Sequence, residues 1–267
     1  MCLASPAERG GVAPYRDPMC TIVLAWHGLP AASGVRALLA ANRDEARGRP
    51  SAPPRLLARE PDRWGGQDLL AGGTWLAVDP QRGRVAAVTN RHPGGVVPHR
   101  DPTRRSRGGL PLDLLAGDDD AALRLLSSVE PHDYNPVNLL YLGDERAWWA
   151  GVDDVRGSRV AEIRPGVHVL GEDDLDDDSP KIRAIRTASM HAVSSAADVG
   201  SALVALRDVL SSHERHGDGP QTAACIHEEM YGTVSSATVV VSDGAVSYDH
   251  ADGPPCVTDF RPITFTP

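Results

Sequence analysis

Cys20-Thr21-Ile22-Val23-Leu24-Ala25-Trp26 is a nearly unbroken apolar stretch with β-branched and aromatic side chains, and it reads as a core strand. Further strand-like runs lie at 74–78, 85–89, 139–142, 148–152, 168–170, 237–241 and 246–248. Asp79-Pro80-Gln81-Arg82-Gly83 joins two of them, and Ser242-Asp243-Gly244 joins two more in a hairpin pattern. Helical periods occur near 106–116, 119–129, 180–193 and 196–212. In the last of these Val199, Leu203, Leu206 and Leu210 share one face, with Ser194 or Ser195 as its expected cap. The order is strands, helices, strands, a helix, strands. That predicts an α+β fold in which antiparallel sheets carry helices on their outsides.

Residues 1–18 are rich in Gly, Pro, Ala and Arg without an apolar period. They read as a disordered extension, or as a stretch upstream of a true start at Met19. Residues 19–267 then form one domain. Nothing in 1–18 has the basic start and apolar block of a secretory signal, and no apolar run reaches the ~18 residues of a membrane span. The net charge of -9 argues against nucleic acid and acidic membrane surfaces as partners. Arg100, Arg104, Arg105 and Arg107 cluster in one segment that reads as a solvated loop, as does the acidic stretch 172–178. Cys2, Cys20, Cys225 and Cys256 have no short paired spacing, which suggests free thiols in a reducing, cytoplasmic compartment and neither a disulfide framework nor a zinc site. His213 and His216 could share a helix face but read as an exposed helix end. Trp148 and Trp149 read as core and surface packing. No metal and no cofactor is expected, and oligomeric state has no signature here.

Met19-Cys20-Thr21-Ile22 is followed by Ala41-Asn42-Arg43-Asp44-Glu45, then Gly72-Gly73-Thr74-Trp75 and Val88-Thr89-Asn90-Arg91. Ser106-Arg107-Gly108-Gly109-Leu110, Tyr134-Asn135-Pro136-Val137-Asn138, Pro180-Lys181-Ile182-Arg183 and Tyr231-Gly232-Thr233-Val234-Ser235-Ser236 come after these. In this order they resemble the NRDE family, also called the transport and Golgi organisation protein 2 family. That family in turn resembles the N-terminal nucleophile hydrolases of the bile-salt hydrolase and penicillin V acylase branch. The resemblance implies an αββα sandwich of two antiparallel sheets between helix layers. It also implies a strand after the Ser33-Gly34 turn, although residues 35–41 have a helix-favouring composition.

Cys20 then has two readings: a small buried thiol at the start of a core strand, or a nucleophile. If Met19 is removed, the free amine of Cys20, with a pKa of about 7.7–8, can serve as base for its own thiol. The resemblance places Asp44 where a carboxylate would hold that amine. Asn90 and Asn138 suit an oxyanion hole, since side-chain amides can stabilise developing negative charge. Asn42, Arg43 and Ser235 are candidate substrate contacts. The bland alternative for the Asn, Asp and Ser residues is turn and strand-end hydrogen bonding. Relatives commonly carry Arg where this chain has Val234, which removes one cation from the expected site. The expected activity is hydrolysis of a small amide by a cysteine N-terminal nucleophile. The alternative is non-catalytic binding of a hydrophobic ligand, because eukaryotic relatives are linked to haem movement and to lipid or acyl-CoA homeostasis.

Overall fold

The computed structural model describes residues 20–29 and 34–266. The expectation for 1–18 therefore lies outside the described residues, as does Ser33. The chain is α+β, built on two antiparallel sheets with helices packed against them.

In the first sheet, β1 (Thr21–Trp26) pairs with β10 (Gly166–Leu170) on one side and β2 (Val35–Ala46) on the other. The sheet continues through β11 (Tyr231–Ser242), β12 (Ala245–Ala251) and a short β13 (Arg261–Pro262). The second sheet is a meander in chain order: β3 (Ser51–Ala58), β4 (Arg63–Asp68), β5 (Leu76–Asp79), β6 (Arg84–Asn90), β7 (Val137–Leu142), β8 (Ala147–Asp153) and β9 (Gly157–Glu162).

Three apolar clusters explain the layering. Ile22, Leu24, Trp26, Leu39 and Val239 of the first sheet meet Leu76, Val78, Val85, Leu140 and Trp149 of the second. Val23, Ala25, Leu38 and Ala40 point the other way, onto α3 (Pro180–Ser195) and α4 (Val199–Leu210). Ala86, Leu139, Tyr141 and Trp148 leave the second sheet's other face and pack on α1 (Leu110–Leu114) and α2 (Asp119–Ser128). β1 is buried along its whole length because both its faces are covered. Residues 37–44 of β2 are buried in the same way, and their helix-favouring apolar part is overridden by pairing with β1 and β11.

Some local readings need correction. α4 is capped by Asp198, whose side chain accepts from the Ser201 backbone N–H, whereas Ser194 and Ser195 belong to the end of α3. Trp148 and Trp149 are both buried, on opposite faces of β8, so neither is surface packing. The stretch 172–178 is not a solvated loop. Asp174 accepts from Arg91 at 2.6 Å, Asp173 pairs with Arg91 and Arg156, and Glu172 accepts from His92. Arg91 is fully buried and also donates to Asp153 at 2.7 Å. This network ties the end of β10 to β6 and β8, so the acidic loop clamps one sheet to the other. β3, β4 and β9 were missed because they lack an apolar run: β3 and β9 are edge strands with Pro or exposed charge, and β4 contains Gly65-Gly66. No described helix is long and apolar enough to cross a membrane.

Candidate functional site

Cys20 immediately precedes β1 and so lies beside the far end of β2, where Thr21 pairs with Asn42. It opens on a cavity of about 200 Å³. Arg43 and Asp44 of β2 line this cavity, together with Thr89 and Asn90 from the end of β6. The site therefore sits where the ends of both sheets meet. The backbone N–H of Asp44 donates to the Cys20 sulfur. Cys20 is half-buried as a residue, yet its thiol is pushed up to about 12, by desolvation first and by the Asp44 carboxylate second. Arg43 and the Asp44 N–H act in the opposite direction.

Asp44 is 1% exposed, and burial pushes its carboxyl up to about 6 against the opposing pull of Lys181 and Thr233. One oxygen accepts from the Thr233 hydroxyl, while Oδ2 has no hydrogen-bond partner among the described residues. Lys181, buried at the start of α3, is the cation nearest in effect, and its ammonium also donates to the Gln221 carbonyl at 3.0 Å. The side chain of Arg43 is 7% exposed and pairs with Glu45 at 3.6 Å. Its Nη1 has no partner among the described residues. A buried guanidinium N–H left unmatched beside a cavity is a costly arrangement that a bound acceptor would relieve.

The arginine segment is exposed at Arg100 and Arg105, as a solvated loop would be, and it also forms a wall of this cavity: Arg100, Arg104, Arg105 and Arg107 all line it. Gly73 explains its placement. Its φ is +77°, and a Cβ there would lie 2.2 Å from the Gly108 carbonyl, which accepts from the Thr74 N–H at 2.8 Å. On the other side, Asn135 Nδ2 donates to the Asp101 carbonyl at 2.9 Å, and Arg107 donates to the Pro136 carbonyl at 2.8 Å. The Gly72-Gly73 and Tyr134-Asn135-Pro136 motifs thus hold the arginine segment over Cys20. Arg49 brings the lining arginines to six, against four carboxyl groups from Asp44, Glu45, Asp68 and Asp101. The lining carries excess positive charge in an acidic protein. Clustered arginines are visible in the sequence, but the backbone clamp that holds their segment at the cavity is not.

The remaining expected residues lie elsewhere. Asn138 is fully buried, accepts from Arg91 at 2.9 Å and from Trp149 at 3.3 Å, and donates to Thr89 at 3.3 Å. It is not among the residues lining the cavity. Asn42 donates to the Leu210 and Ala224 carbonyls at 2.9 and 2.8 Å, and so joins β2 to the end of α4. Ser235 pairs across the sheet with Arg43 and lines a separate, smaller hollow together with it. Val234 falls in the register shift between Thr233 and Ser235.

The sequence profile of the Transport and Golgi organisation 2 family matches residues 19–249. The chain is 28% identical to the Transport and Golgi organization 2 homolog of Mus musculus over 261 residues, covering 86% of this chain and 91% of that protein. It is 29% identical to the Transport and Golgi organization protein 2 homolog of Bos taurus, with the same coverage. The Homo sapiens homolog is 28% identical. The chain belongs to the Transport and Golgi organisation 2 family.

Proposed function

We propose that this protein is a cysteine N-terminal nucleophile amidohydrolase acting on a small amide that carries a carboxylate or phosphate. The observation that carries the proposal is the meeting of Cys20, Asp44 and Asn90 at one cavity whose lining has more arginines than carboxyl groups. The succession of helix, sheet, sheet and helix layers supports kinship with the αββα hydrolases. The cavity volume, below the 300–1,000 Å³ of drug-sized pockets, favours a small substrate over haem or an acyl chain.

In the proposed mechanism, processing exposes the Cys20 amine and Asp44 orients it as an ammonium or amine. The amine takes the thiol proton, and the thiolate attacks the amide carbonyl. Asn90 and the Asp44 backbone N–H suit the developing oxyanion. The C–N bond breaks as the amine returns the proton to the leaving nitrogen, and water then attacks the thioester with the amine again as base. Arg43 Nη1 and the arginine wall hold the substrate's anionic group.

The test is turnover of anionic amides and their neutral isosteres by protein that begins at Cys20. Preference for the anionic series, abolished by Cys20→Ala and reduced about 10–100-fold in kcat/KM by Arg43→Ala, supports the reading. Equal turnover by Cys20→Ala contradicts it. One observation favours a second reading, a non-catalytic anion-binding protein for haem propionates or an acyl-CoA phosphate. With residues 1–19 attached, the Cys20 thiol is held protonated. Tight anion binding without turnover by the processed protein would select that reading.

A further inference from the structure

The Cys225-Ile226-His227 segment runs extended beside the start of β11. The Thr233 N–H donates to the Ile226 carbonyl at 2.9 Å, and the Glu228 N–H donates to the Tyr231 carbonyl at 3.0 Å. Alternation along an extended chain puts Cys225 and His227 on the same side. The Cys225 N–H donates to the Ser212 carbonyl at 2.9 Å, which brings the chain after α4 alongside. The His213 ring then meets the His227 ring edge-on, with centroids 5.0 Å apart. Cys256 enters from the turn after β12. The Cys225 and Cys256 sulfurs are 3.6 Å apart, and His227 Nε2 lies 3.5 Å from the first and 3.1 Å from the second. One donor atom from each of the four residues lies within 4.8 Å of all the others. Cys225 and Cys256 are free thiols, as expected, yet they do not stand apart, because three distant segments fold to one point. The reading of His213 and His216 as a helix end fails, since α4 stops at Leu210.

We infer that His213, Cys225, His227 and Cys256 bind one zinc ion in a tetrahedral Cys2His2 site. A tetrahedron with Zn–S of about 2.3 Å and Zn–N of about 2.0–2.1 Å has edges of roughly 3.4–3.8 Å. The separations on the two sulfurs already fall near that range. Two thiols with two imidazoles suit zinc, whereas calcium and magnesium take oxygen donors. A disulfide is the chief competitor for the cysteines. It would need the sulfurs at about 2.05 Å, and it gives the two imidazoles no reason to converge.

Binding replaces two S–H bonds by two Zn–S bonds and releases two protons to solvent, with no change of oxidation state. Four protein ligands close the coordination sphere, so the role is structural. The ion would join the chain after α4, the lead-in to β11 and the loop after β12. Ile226 N–H donates to the Thr233 hydroxyl oxygen at 3.0 Å, and that hydroxyl donates to Asp44. Zinc would therefore brace the strand end that positions the carboxylate beside Cys20.

The experiment uses the full chain, reduced and purified without a chelator. Zinc is counted by elemental mass spectrometry, and chelator-stripped protein is titrated with Co2+. The expected result is one zinc per chain, with tetrahedral d–d bands and a thiolate-to-cobalt charge-transfer band. Cys256→Ser and His213→Ala alter half-buried and exposed positions, and each should weaken zinc binding at least about tenfold with unchanged circular dichroism. Cys20→Ser should retain the zinc and the cobalt spectrum. The inference is overturned by a wild type with neither zinc nor the charge-transfer band. It is equally overturned if zinc persists at wild-type affinity in both ligand variants, if zinc is lost in Cys20→Ser, or if Cys225 and Cys256 are found disulfide-bonded under reducing purification. Zinc content is read independently of turnover, so failure of the hydrolase proposal leaves this test intact.

Discussion

Asp44 is a carboxylate whose burial resists the charge that its proposed role requires. Its pKa is raised to about 6, so folding favours the protonated form. Its contribution to stability is present below the ordinary carboxylate pKa of about 3.9 and is lost as pH rises through about 6. Asp44→Asn should remove that dependence. Between pH 4 and pH 6 the unfolding free energy of the wild type should fall relative to the variant by on the order of 2–3 kcal/mol, measured by denaturant titration. A constant difference across that window would refute the assignment. Cys20 makes the complementary case. In protein that begins at Cys20, the neighbouring ammonium should lower the thiol pKa, and alkylation should be at least about tenfold faster than in protein retaining residues 1–19. Equal rates would mean that the amine does not activate the thiol. At this scale Cys20, Arg43, Asp44 and Asn90 carry local motifs, and all four line one cavity. Asn138 and Asn42 do not line it, and an Asn in a strand reads the same in sequence whether it faces a cavity or buried protein partners. Lys181 and Thr233 were missed as partners of Asp44, since only tertiary packing brings them there.

The elements read best were those buried on both faces. β1, β5, β6, β7, β8 and the core of β11 all announce themselves by apolar runs. The edge strands β3 and β9 did not, because they need no apolar periodicity to pair on one side only. Loops were less legible, and the arginine and acidic loops are both ordered by contacts made across long sequence separations. In the arginine segment the close approach of Gly73 to Gly108 is decisive. Gly73→Ala would force a Cβ against a carbonyl at a positive φ. It should lower stability by roughly 2 kcal/mol or more and reduce the preference for anionic over neutral amides. Unchanged stability and preference would show that the clamp is dispensable. In the acidic loop, Arg91→Ala would leave Asp153 buried without its cation. The expected cost is about 3–5 kcal/mol in thermal or chemical denaturation, and a loss under 1 kcal/mol would contradict the clamp between the sheets.

Over the whole molecule, charge is distributed against the average. The chain carries a net -9, yet the cavity beneath the arginine segment has six arginines among its lining residues. An acidic exterior around a cationic hollow repels polyanions as large as nucleic acid while leaving a small anion a favourable destination. The layered α+β plan was legible from the order of strands and helices. The position of the cavity at the meeting ends of both sheets was not, because it depends on how the sheets stack. Cys20 is the proposed nucleophile of this cavity. The direct measurement is rapid quenching of protein that begins at Cys20 during reaction with an anionic amide, followed by peptide mapping by mass spectrometry. The expected result is an acyl thioester on the Cys20 peptide, formed and lost at the rate of turnover and absent from Cys225 and Cys256. Turnover with no adduct at Cys20, or an adduct on another residue, would contradict it.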